Sequence, residues 1–269
     1  MKFLILILLI LSCTPKEKTP QESTKNPVYY RWDEQTLQDT PLNIVIAQEF
    51  LPLVAKEKAD NSGLNAVEKM AEKWNEAHPS IDFYTLPFTV GGNKLYSNLD
   101  DYLNDEEIGI YFSSGWYREL SPSALAVTQF SGIRKFAGTP DEYLQLVHAD
   151  ILVNFRDFEY FVDSGPRTFD LLTVIIHEMG HLIGLPHVTN PNIESVMSPY
   201  LERGEKRRNL TPYDKATLLK YYPLIPPKKS AISSLLSIEG TETVEKHIIE
   251  LESDGTCKHY LNGQYIFSN

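Results

Sequence analysis

Eleven residues in the second half of the chain carry most of its chemistry: His177-Glu178-Met179-Gly180-His181-Leu182-Ile183-Gly184-Leu185-Pro186-His187. Apolar residues at Leu172, Ile175, Ile176, Met179, Leu182 and Ile183 recur at helical spacing. They predict a helix entered after Thr168 or Asp170, either of which can cap it. On that helix His177 and His181 stand four apart and project from one face, one turn from each other. Two imidazoles so placed can reach one ion at roughly 2.0–2.1 Å, the Zn–N distance. Gly184 can enter the left-handed region and end the helix. Pro186 discourages its resumption, and His187 can return to the same ion from the other side. Three protein ligands leave a fourth position for water, the arrangement of a catalytic rather than a closed structural zinc. Glu178 is then placed to take a proton from that water as it attacks a carbonyl, and to hand it to the leaving amine. A histidine pair alone would also suit an ordinary core helix. The glycine and third histidine at fixed offsets decide for the metal.

This extended motif resembles that of the metzincin zinc endopeptidases, and the resemblance continues downstream. Ser195-Val196-Met197-Ser198-Pro199-Tyr200 looks like the methionine turn that metzincins carry beneath the zinc. Leu210 to Tyr222 resembles the last helix of matrixin (matrix metalloprotease)-like catalytic domains, where an aspartate at the position of Asp214 hydrogen-bonds that turn, although read alone Asp214 suits a solvated helix face equally well. The resemblance implies an α+β metzincin fold, a twisted mixed five-stranded sheet with three main helices. It also implies one catalytic Zn²⁺ on His177, His181 and His187, with Glu178 as the catalytic group and Gly184, Met197 and Asp214 as structural neighbours. In that arrangement Ala124–Ser131 is the exposed edge strand above the cleft, and an extended peptide would add to it beside Ala126 and Val127. Pro199, Tyr200 and Leu201 would wall the pocket for the side chain after the cut bond, although an aromatic after a turn serves core packing equally well.

Several residues depart from the matrixin pattern. Val188 stands where a serine usually follows the third ligand, and Ser198 separates methionine from proline. Tyr200 lies three residues after Met197, not at the offset where some metzincins place a further zinc ligand. His148 and Asp150 are similar to a pair that holds a structural zinc in animal matrix metalloproteases, but the other histidines of that site are missing and the pair is left out. No cysteine is placed to act as a latch on the zinc, since Cys13 and Cys257 flank the catalytic region. Asp33 is a weak candidate for that role.

The elements around the site can be read more coarsely. The 269 residues carry 42% hydrophobic and 11% aromatic side chains, ample for a core. A net charge of -11 argues against nucleic acid and against a basic membrane-surface patch. Pro41–Ala47, Ile81–Leu86, Ile108–Phe112 and Ala149–Phe155 read as strands, and Gly63–Ala77 as an amphipathic helix with His78 at its end. The acids of Asn98–Glu107 make Ca²⁺ conceivable, but no calcium-loop spacing is present and a solvated acidic loop is the reading adopted. Residues 1–12 look like a signal peptide, Phe3 to Leu11 being unbroken apolar and too short to span a membrane. Ile10-Leu11-Ser12-Cys13 resembles a bacterial lipoprotein signal. It implies export and a lipid anchor on Cys13 at an outer membrane or cell surface, the alternative being an ordinary secretory peptide with an incidental cysteine. Residues 13–27 then form the anchor and a disordered tether, and residues 28–222 the catalytic domain. Residues 223–269 form a linker and a small antiparallel meander that packs on the enzyme. The meander draws on Ser233–Ile238, His247–Leu251, Lys258–Tyr260 and Tyr265–Phe267, with hairpin turns at Asp254-Gly255 and Asn262-Gly263. His247 and His259 are expected on its surface.

The function these readings support is a zinc-dependent endopeptidase, a monomer acting on extended protein substrates in a cleft between the upper sheet and the part after Gly184. The competing reading is a surface binding protein that keeps the zinc fold and cuts little. Glu178 separates them, because a binder needs no base beside the metal.

Overall fold

The computed structural model describes residues 29–55, 61–163, 167–224, 243–253 and 257–268. The expected signal, Cys13 and tether, the strand at Ser233–Ile238 and the Asp254-Gly255 turn lie outside the described residues. No described helix is long and apolar enough to cross a membrane.

The chain opens with β1 (Tyr29–Arg31), α1 (Glu34–Asp39), β2 (Val45–Ala47), α2 (Leu51–Val54), α3 (Ala66–Glu76) and β3 (Thr89–Gly91). It continues through β4 (Gly109–Ser113), β5 (Ala124–Lys135), β6 (Tyr143–Asn154), β7 (Tyr160–Phe161) and β8 (Phe169–Asp170). The active-site helix α4 (Leu171–Leu182) and α5 (Pro212–Tyr221) follow, then β9 (Val244–Glu252), β10 (Cys257–Leu261) and β11 (Gln264–Ser268). Strands run β11-β10-β9-β5-β6-β4-β2-β3, and β1 pairs beside this path with β6. The expected five-stranded sheet is the half β5-β6-β4-β2-β3, parallel except for β5, with β3 standing where Ile81–Leu86 was expected. This mixed α+β architecture is the expected fold class.

The helices form where the chain offers caps. Asn65 accepts from the Val67 and Glu68 amides at 2.9 and 3.0 Å, and Glu68 returns a bond to the Asn65 amide at 2.7 Å. This capping box fixes the start of α3. Asp170 caps α4 through the Thr173 amide at 3.0 Å, so of the two candidates it is Asp170 that begins the helix. One sheet face packs on α3 and α4 through Trp74, Met70, Ile151, Val153, Ile175 and Met179. The other, through Tyr111, Val127 and Leu152, packs on Tyr102, Trp116 and Leu120. A sheet covered on both faces explains why β6 is buried nearly throughout.

Four expectations change. Ile81–Leu86 makes only an isolated bridge, Leu42 to Tyr84, and the ladder instead resumes at β3, beyond Pro87. Asn75 explains this: its side chain bonds the Phe83 and Tyr84 amides and the Tyr84 carbonyl, taking groups a strand would need. Asp33 caps α1 through the Thr36 amide, which engages the carboxylate away from any metal. The meander does not merely rest on the domain. It extends the same sheet, because β9 pairs antiparallel with β5 from Ala124 to Ile133. In consequence β5 is an inner strand, and Ala126 and Val127 are wholly buried opposite Leu251 and Glu250 rather than open to a peptide. His247 and His259 are likewise buried, since they project from β9 and β10 toward the interior. The Asn262-Gly263 turn forms as expected, both residues at positive φ, 49° and 75°.

Candidate metal centre and active site

Helix α4 carries His177, Glu178 and His181 on buried turns. It ends at Gly184, whose φ of 90° an L side chain rarely adopts, and where a Cβ would meet the Tyr30 carbonyl oxygen at 2.1 Å. The turn is closed by the Gly184 amide on His181 O and the Leu185 amide on Gly180 O. The chain then brings His187 back over the helix. The three Nε2 atoms stand 2.9, 3.0 and 2.9 Å apart.

The hydrogen bonds of the rings settle their tautomers. His177 Nδ1 lies 2.7 Å from Val196 O, and His181 Nδ1 lies 2.7 Å from Leu185 O. Carbonyls only accept, so both Nδ1 atoms carry the proton and both Nε2 atoms present lone pairs. Two lone pairs facing each other at 3.0 Å repel unless a cation lies between them. Nitrogens on one tetrahedral zinc stand roughly 3.3–3.4 Å apart, so the cluster is only slightly tighter than a zinc needs. Burial pushes His177 down to about 3, against the opposing pull of the Val196 bond. Burial and the neighbouring rings push His181 and His187 well below the usual imidazole range. All three are therefore neutral ligands at physiological pH. Among the described residues this is the one His/Cys/Asp/Glu group close enough to hold a metal, and its donors suit Zn²⁺.

Glu178 is fully buried beside the triad. Thr128 Oγ1 donates to its Oε2 at 2.5 Å, and Oε1 has no protein partner. Burial raises its pKa to about 8, opposed by the Thr128 bond. A cation in the triad would draw it back down.

Beneath the helix lies the methionine turn. Met197 is buried, and Gly180 exists to admit it: a Cβ there would meet Met197 Sδ at 2.2 Å. Asp214, buried at the start of α5, accepts from Ser195 Oγ, from the Val196 amide at 3.3 Å and from the Thr211 amide at 2.8 Å. It thus ties the last helix to the strand of chain that orients His177. Val188 serves through its backbone, its amide donating to Met197 O at 2.9 Å. Two indoles brace α4, Trp74 Nε1 on Ile176 O at 3.0 Å and Trp32 Nε1 on Leu182 O at 2.9 Å.

With this geometry in place the comparison with known families is decisive. The sequence model of the matrixin peptidases matches residues 45–223. The chain belongs to the matrixin family. No curated protein matches it. Membership together with the triad makes this matrixin a zinc metalloprotease in general terms. The match ends just after α5, so β9, β10 and β11 lie beyond the part the matrixins share.

The structure thus gathers His177, Glu178, His181, His187, Gly184, Met197 and Asp214 at one place. Leu201 is buried, Pro199 partly so, and Tyr200 is half exposed with its hydroxyl on Glu202 at 3.0 Å. Thr128, Gly180, Trp32 and Trp74 were not singled out from the sequence. Gly180 sits inside the motif and could have been noticed as a small residue on a packed face. Thr128 gives no such signal, since threonine in a strand is ordinary. In the acidic loop, Asp105 and Glu107 both pair with Lys94, at 2.9 and 2.7 Å.

Proposed function

We propose that this matrixin hydrolyses peptide bonds of extended protein substrates, with Glu178 as general base and then general acid. A bound Zn²⁺ would supply Lewis acidity toward a carbonyl and lower the pKa of a water. His177, His181 and His187 would hold it, kept neutral by burial and aimed by the Val196 and Leu185 carbonyls. Thr128 fixes one oxygen of Glu178, so the proton has one place to go, Oε1. With the ion present Glu178 is ionised and accepts a proton at Oε1. Once protonated, it can donate from the same atom to the departing amine, and the buried surroundings favour that neutral form.

The observation that carries this reading is the unpartnered Glu178 Oε1 beside three convergent imidazoles. A binding protein would leave no reason to bury an acid there, at a cost in stability. In the test, Glu178→Ala should lower peptide cleavage by roughly 10²–10⁴-fold while zinc stoichiometry stays at one. Cleavage that persists in that variant at the wild-type rate would remove the proposal.

A further inference from the structure

β5 borders the site, since its Thr128 bonds Glu178, and the lane beside β5 is taken by β9. Resting on the endopeptidase reading, we infer that the β9–β11 segment is a built-in occupant of the substrate groove and holds the matrixin closed.

The cross-strand register shows where the segment lies. Thr128, the residue bonded to Glu178, stands opposite Ile249 of β9, which stands opposite His259 of β10. Residues directly opposite in a ladder share a sheet face, so Ile249 and His259 project on the side of the catalytic helix. The His259 ring centroid lies 5.8 Å from that of His187. With β9 and β10 in place, His177, Glu178, His181 and His187 are 2%, 0%, 1% and 8% exposed. A hydrolytic metal needs an open corner for water and carbonyl, and β9 and β10 lie on the side from which a chain beside β5 would reach it.

Polar clasps hold β9 in place. Arg134 Nε and Nη2 donate to the two carboxylate oxygens of Glu245, both at 2.6 Å. At the other end, the Ser121 amide and hydroxyl donate to Glu250 and Glu252, each at 2.9 Å. The segment pairs antiparallel with β5 through main-chain bonds, the mode by which a foreign strand would add to a sheet edge. A tethered strand acts at an effective concentration of about millimolar, so a free peptide competes at a disadvantage until the clasps are undone. The family match stops at residue 223, so the occupant is an addition to the shared fold.

The test uses the full chain with Cys13→Ser and Cys257→Ser. Ser131→Cys with Lys246→Cys places two thiols directly opposite on β5 and β9, near enough for a disulfide. Glu245→Arg undoes the clasp to Arg134 without touching the core, and adding Ile249→Asp weakens docking further. Two readouts are taken: cleavage of a quenched fluorogenic peptide with zinc present, and anisotropy of a fluorescein-labelled peptide of sequence 244–252, which needs no metal. Oxidation of the paired thiols should abolish probe binding and lower cleavage at least tenfold against the reduced protein. Glu245→Arg should raise both readouts, and the double variant at least tenfold. Equal probe binding in oxidised and opened forms overturns the inference, as does measurable cleavage that is equal in the two forms, or failure of every form to bind the probe. Probe binding in the expected order with no cleavage in any form keeps the occupant and removes the endopeptidase reading instead.

Discussion

The two walls of this site are built by different means. The wall formed by α4, the methionine turn and α5 is assembled within residues 170–222, from pieces that fix one another. Asp214 holds Ser195 and Val196, Val196 O aims His177, and Met197 sits against Gly180. The wall across from it, β5, is completed by residues 244–252, joined through main-chain pairing and clasps at its ends. Local redundancy places the chemistry. A segment distant in sequence decides who may reach it.

That contrast can be broken most directly at Asp214. Asp214→Ala leaves the buried Ser195 and Val196 donors, and the partly buried Thr211 amide, without their acceptor, at a cost of about 2–4 kcal/mol. Thermal unfolding should fall by roughly 5–10 °C, and zinc affinity should fall with it because His177 loses its guide. Retained affinity would show that the two supports are independent. Gly180→Ala is the next largest. The added methyl meets Met197 Sδ and lies 3.1 Å from Trp74, an overpacking worth about 1–3 kcal/mol. Its signature should be faster zinc loss to a chelator, with probe binding along β5 unaffected.

The smallest effect belongs to the other wall. Burial raises Glu250 to about 7, aided by Glu252 and opposed by the Ser121 amide and Lys258. Its folded pKa lies above the unfolded value, so its stabilising contribution is complete below about pH 4.5 and is lost as pH rises through 7. The unfolding temperature of wild type should therefore drop relative to that of Glu250→Gln as pH rises across that window. Parallel profiles from pH 4.5 to 8 would show that Glu250 is not strained at the clasp.

The first wall was legible in the sequence because its determinants are type and spacing: two histidines on one helix face, a glycine at the turn and a third histidine, with Met197 named through the resemblance that these residues carry. Asp214 was named through the same resemblance, since on its own it reads as a solvated charge on a helix face. The second wall was not legible. The β-prone pieces and the Asn262-Gly263 hairpin were visible, but backbone pairing accepts almost any side chain, and nothing in Val244–Glu252 says which edge it will join. Hence β5 was expected open, and His247 and His259 were expected on the surface. Thr128 escaped for a related reason, since its role depends on which residue the sheet brings above it. The expected strand at Ile81–Leu86 failed because Asn75, several residues earlier, takes the backbone groups a ladder would use.

The chain has three tryptophans, and two of them hold the backbone of α4. Trp74 bonds the carbonyl just before His177, and Trp32 the carbonyl just after His181. The liganding turns are thereby bracketed by native fluorophores. Loading and emptying of the ion can be watched as a change in emission, with no dye attached and no substrate in the cuvette.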